Sequence, residues 1–239
     1  MLGVVVTVLC LVAAVPIAWA VSRTDMPGKG IVRLLVLGRF VTPPYLGAIA
    51  WELLAGPNAG WLNRAWMGLT GASRGLFNIF SFAGLAFVIA IYSFPYLFIF
   101  TSSALDVVSS EMENAANIIG AGTLRTMLRI TLPMVLPAIL AGIVITFLET
   151  IALFGVPVLI AIPARFSVVT TQLLQFFSPP IRAEVAAAYA VPLLLITVIP
   201  FDLQRRLVHR KGFSLQPSAH PLRRRLHRPQ QFSQWHRRG

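Results

Sequence analysis

Few side chains in this 239-residue chain have the chemistry of a catalyst, and their positions exclude most reactions. The single cysteine, Cys10, lies in an apolar run, so neither an intramolecular disulfide nor a cysteine metal site can be built, and small apolar packing is its expected role. All four histidines, His209, His220, His227 and His236, fall after residue 203. The first 203 residues therefore lack the imidazole that a histidine-ligated zinc or a Ser-His-Asp triad requires. No Gly-x-x-x-x-Gly-Lys-Ser/Thr loop is present to cradle nucleotide phosphates. No catalytic and no metal-ligating residue is expected. What remains is electrostatics inside an apolar body. Glu149 stands near the middle of the apolar run 136–160, and Arg39 stands within the run 31–55. A carboxylate at the centre of a membrane helix costs about 2.5–3.5 kcal/mol, so Glu149 should face a protein interior or an aqueous path. Two readings stay open for it: it lines or gates a translocation path, or it makes a helix-to-helix contact with Arg39, Thr146 or a serine.

The elements that must position these groups follow from composition. Hydrophobic residues make up 56% of the chain and charged residues 12%, which excludes an ordinary soluble or disordered protein. The formal charge of +12 is uneven: residues 1–203 carry ten Lys and Arg against all eight Asp and Glu, and the other ten basic residues lie in 204–239. A spanning helix needs about 20 mostly apolar residues. The pattern predicts spans near 2–21, 31–55, 76–100, 136–160 and 185–201, which is an all-α polytopic bundle of about five helices followed by a basic, disordered tail. The 31–55 span contains Pro43-Pro44 and is expected to bend. Residues 2–21 could alternatively be a signal peptide, but the basic residues follow the apolar run, which favours an outside N-terminus and a cytoplasmic tail.

The connection between the third and fourth spans is long for a passive turn. Ser110-Glu111-Met112-Glu113 fits a capping box, and Met112, Ala115, Ala116 and Ile119 then form a helical stripe with small residues at its middle. Gly120 suits the end of that helix. Thr123 is a plausible cap for a second helix carrying Leu124, Met127 and Leu128, and Pro133 suits the start of the next span.

The run Glu113-Asn114-Ala115-Ala116, Gly120 and Ile130-x-Leu132-Pro133 resembles the EAA loop of binding-protein-dependent ABC importer permeases. Asn114 stands where the motif's glutamate usually does. Thr42-Pro43-Pro44-Tyr45, Gly56-Pro57-Asn58-Ala59-Gly60-Trp61-Leu62-Asn63 and Phe147-Leu148-Glu149-Thr150 resemble the ferric-iron branch, close to iron, thiamine and polyamine permeases. The chain resembles the first half of a two-repeat permease, over about residues 1–203, with one leading helix absent.

The resemblance implies a non-catalytic subunit of the bacterial inner membrane, with a permease domain at 1–203 and a cytoplasmic coupling loop at 106–133. The ATPase-coupling residues of that loop would be Glu113, Ala115, Ala116, Gly120, Ile130, Leu132 and Pro133. Ala115, Ala116 and Gly120 would permit close approach of a cytoplasmic ATPase, and Ile130, Leu132 and Pro133 would anchor the loop to the bundle. Glu149 keeps both readings, the translocation path among them. No cofactor is bound by this chain; ATP and Mg belong to the ATPase. The other implied partners are a periplasmic substrate-binding protein, a second permease half or second copy, and membrane lipid. Nucleic acid is not expected. An ATP-independent secondary transporter or channel, and a non-functional half-permease, are the competing readings.

Overall fold

In a computed structural model, which describes residues 1–108, 118 and 122–212, all regular structure among the described residues is helical. Helix α1 (Leu2–Arg23) packs along α5 (Phe82–Val107), and both pack against α6 (Leu132–Ala152). The seam is made by residue spacing. Val6, Cys10, Ala14, Ala18 and Val21 recur at helical intervals on α1 and are fully or almost fully buried, against Leu85, Val88, Ile89, Leu97 and Leu105 of α5. Lipid is as apolar as leucine, so small side chains that let backbones approach are what favour such a crossing.

The first expected span is observed, and α5 is displaced from its expected position. It begins at Phe82 because Ser81 caps it, the serine oxygen accepting from the Gly84 amide at 3.0 Å, and it continues to Val107. Residues 76–81 instead form a connection held by Asn63. That side chain is 0% exposed, donates to the Gly56 and Phe77 carbonyls at 2.8 and 2.7 Å, and accepts from the Phe77 amide at 2.8 Å. Asn63→Ala is expected to lower stability by about 2 kcal/mol, since it orphans three backbone groups. Thermal unfolding of the detergent-purified protein measures it, and an unchanged midpoint would exclude this role.

The expected 31–55 span is broken more sharply than a bent helix. Helix α2 (Lys29–Gly38) runs into a 3-10 turn (Arg39–Val41), and α3 (Pro44–Ala55) leaves it at 103°. Pro43 holds Thr42 extended, Pro44 holds Pro43 extended, and Pro44 is then preorganised to start α3. Neither half is long enough to cross a bilayer alone. Together they do connect opposite ends of the bundle: Arg33 of α2 pairs with Asp106 at one end, and the Ala55 carbonyl accepts from Ile79 at the other.

The expected 136–160 span also divides. Helix α6 ends at Ala152, Leu153 is extended, and α7 (Gly155–Ala161) restarts the chain. Pro157 explains the break, because within a continuous helix its ring would clash with the Leu153 carbonyl, whereas in the first turn of α7 its missing amide costs nothing. After α8 (Val169–Phe176), the last helix α9 (Ala183–Gly212) carries the expected final span and runs past residue 203 into the basic segment. Among the described residues, four helices are long and apolar enough to cross a membrane, or five if the broken pair counts as one.

Candidate coupling and translocation site

Two regions gather the functional residues. The first is the mount of the loop between α5 and α6. The last carbonyls of α5 have no helical partners, and Arg23, at the end of α1, donates one nitrogen to the Leu105 and Val108 oxygens, each at 2.9 Å. Arg33 adds a two-oxygen contact to Asp106 at 3.0 and 3.1 Å. This pair is 42% exposed on each side, so it contributes at most about 1 kcal/mol. Its geometric effect is to tie α2 to the residues that enter the loop.

On the other side of the loop, a helical turn at Thr123–Thr126 and a π-helical stretch at Met127–Thr131 lead into α6 without interruption. The expected second loop helix and the expected span are thus one continuous helical rod. Leu132 packs against the core, Ile130 is half-buried and Pro133 is exposed, so Pro133 acts through backbone geometry in the first turn of α6 and not as a packed anchor. Glu113, Ala115, Ala116 and Gly120, together with the capping box at Ser110, lie outside the described residues.

The second region is a polar cluster where α5, α6 and the α2–α3 break meet. Ser93 is fully buried and donates its hydroxyl to Glu149 Oε2. The carboxylate also feels the charge of Arg39, with no hydrogen bond or ion pair between the two among the described contacts. The Arg39 guanidinium sits over the rings of Tyr92, Phe40 and Tyr96, at 5.0, 5.5 and 5.9 Å from their centroids. Tyr92 is located in turn by Gly47 on α3, where a Cβ would come within 1.8 Å of the tyrosine hydroxyl.

Glu149 thereby makes a helix-to-helix contact with a serine. A cavity of about 410 Å³ lies toward the start of α1 and is lined by Phe82, Phe147, Thr150, Phe166 and Tyr189 among others, with Glu149 outside its lining. Ser93, Tyr92, Arg23, Asp106 and Asn63 were not singled out by residue type. A serine in an apolar run gives no signal of its partner, and the Arg23 contact spans 82 and 85 residues of sequence.

Residues 3–212 match the family described as binding-protein-dependent transport system inner membrane component. The chain is 29% identical over 192 residues to a probable molybdenum ABC transporter permease protein of Haloferax volcanii, covering 80% of this chain and 66% of that protein. It is 28% identical over 160 residues to a probable sulfate transport system permease protein of Chlorokybus atmophyticus, covering 67% of this chain and 54% of that protein. The chain thus spans less than two thirds of the length of these relatives, at 66% and 54%. The structure of a bacterial alginate ABC transporter in complex with alginate pentasaccharide-bound periplasmic protein superposes with a TM-score of 0.69 at 17% identity, covering 87% of this chain and 76% of that one. At that identity the likeness shows the helical fold.

Proposed function

The chain belongs to the binding-protein-dependent transport system inner membrane component family, and on that premise we propose that it is the non-catalytic membrane subunit of an ATP-driven importer. The observation that carries this reading is the mounting of the 109–121 segment. Arg23 and Arg33 hold α5 on its entry side, and a continuous helix from Thr123 to Ala152 leaves on its exit side. A loop clamped between two packed helices transmits a displacement, whereas a flexible linker dissipates it. Glu113, Ala115, Ala116 and Gly120 form the docking surface for a cytoplasmic ATPase, which binds the ATP and Mg, and Ile130, Leu132 and Pro133 join that surface to α6. The orientation is N-terminus outside and basic tail inside, in keeping with the excess of basic residues on the cytoplasmic side. A periplasmic binding protein delivers substrate at the opposite end, and a second permease half or second copy completes the path.

The motif likeness to ferric-iron permeases finds no support among the relatives, whose names carry molybdenum and sulfate. Those names support a tetrahedral oxyanion, molybdate or sulfate, as the substrate. Proteoliposomes holding the subunit with its ATPase and binding protein test this directly: labelled sulfate or molybdate is expected to accumulate only with ATP inside and binding protein outside. Uptake without ATP would return the chain to the secondary transporters, and uptake of ferric iron alone would restore the iron assignment.

A further inference from the structure

We infer that Arg39 is a contact for the anion in transit, its Nε–Nη2 edge taking two oxygens of a tetrahedral oxyanion. This rests on the importer reading above and adds the residue that would recognise the substrate class. The two nitrogens point parallel N–H bonds from one side of the guanidinium, the geometry that matches a pair of oxygens on one anion. Both are buried, and neither has a hydrogen-bond partner among the described residues. A buried cationic edge left unpaired is costly, and a fold that keeps one at a defined place has a use for it.

The surroundings hold the charge without satisfying it. Tyr92, Phe40 and Tyr96 offer ring faces, which attract a cation but supply no acceptor to Nε or Nη2. Glu149, whose charge interacts with that of Arg39, has its Oε2 engaged by Ser93. It leaves the fork open and adds a nearby negative charge that would weaken a bound anion. A transit site needs that balance, attractive enough to enter and weak enough to leave.

The backbone gives an independent reason. Arg39 starts the 3-10 turn at the 103° break between α2 and α3. Broken backbone at membrane depth is tolerated only where it is packed in protein or lines a water-filled route. Gly47 on α3 and Tyr92 on α5 are in close contact, so the aromatic wall and the break are placed together.

The test uses the complete importer in proteoliposomes with labelled sulfate and labelled molybdate. Arg39→Gln is expected to cut initial uptake about 10- to 100-fold, the fold equivalent of losing a charge-assisted contact. Arg39→Lys keeps the charge but loses the fork, and should recover only part of the rate. Co-purification of the ATPase with each variant checks assembly. Uptake by Arg39→Gln or Arg39→Lys at the parent rate would overturn the inference alone. So would recovery of uptake in Arg39→Gln with Glu149→Gln, which would assign Arg39 to balancing Glu149. A parent complex whose ATPase responds to binding protein but which imports neither anion would overturn the oxyanion reading and this inference with it.

Discussion

Gly142→Trp is expected to prevent the folded protein from accumulating. Gly142 is buried where α6 crosses α5, and a Cβ built there would lie 2.5 Å from a Leu97 methyl, 3.2 Å from the Leu97 Cα and 3.3 Å from the Phe100 Cβ. The methyl can rotate away, but the Leu97 backbone cannot, because Leu97 is itself fully buried in the seam with α1. α6 is also fixed from its other side, where Phe147 presses on Gly3 of α1 at a distance that would bring a Cβ to 2.9 Å. A large side chain at 142 must therefore separate α5 from α6 and open the core, at a cost above about 3 kcal/mol, beyond the usual range for overpacking. Gly142→Ala needs the Leu97 methyl to rotate away and the Leu97 Cα and Phe100 Cβ to give by a few tenths of an ångström, and is expected to cost about 1 kcal/mol. Size-exclusion of detergent extracts reads both: the alanine variant should elute as the parent with a lowered melting midpoint, and the tryptophan variant should give no monodisperse peak. A Gly142→Trp protein recovered at parent yield would show that this crossing does not set the fold.

That crossing was not visible in the sequence, although much around it was. Hydropathy located α1 closely, because a run of about 20 apolar residues without proline near its ends admits one solution. It misplaced the ends of α5 and α6, because those ends are set by local polar chemistry: Ser81 at the start of α5, Arg23 on its last carbonyls, and Pro157 restarting the chain after α6. Pro43-Pro44 signalled a bend, while a break of 103° depends on α3 finding partners in α4 (Trp61–Thr70), α5 and α7. Glu149 and Arg39 stood out as charges in apolar runs, and the structure does bring them into one cluster. Their partners did not stand out, since Ser93 and Tyr92 are ordinary residues in a membrane helix until α6 and α3 are packed against them. Asn63 gave little signal: it is one amide in the first turn of α4, and the three backbone hydrogen bonds it completes are visible only in the fold.

Gly120→Trp is expected to abolish co-purification of the ATPase, and with it ATP-dependent uptake, while leaving membrane insertion unchanged. The argument combines the loop sequence with its mounts. Ala115, Ala116 and Gly120 resemble positions of the EAA loop at which small side chains permit close approach of a partner backbone. Among the described residues, α5 is held by α1, by the Arg23 contacts and by the Arg33–Asp106 pair, and α6 is held by α1 and α5. With those contacts unchanged by the substitution, its effect is expected to fall on docking. This separates it from Gly142→Trp, for which protein and ATPase should be lost together. Tagged subunit co-expressed with the ATPase and extracted in mild detergent distinguishes the cases. For Gly120→Trp the subunit should be recovered at parent yield without the ATPase, and the Arg39 variants should retain it. Parent-level ATPase recovery with Gly120→Trp would remove the 106–133 loop from the interface, and the coupling reading would then have to move to another face of the cytoplasmic end.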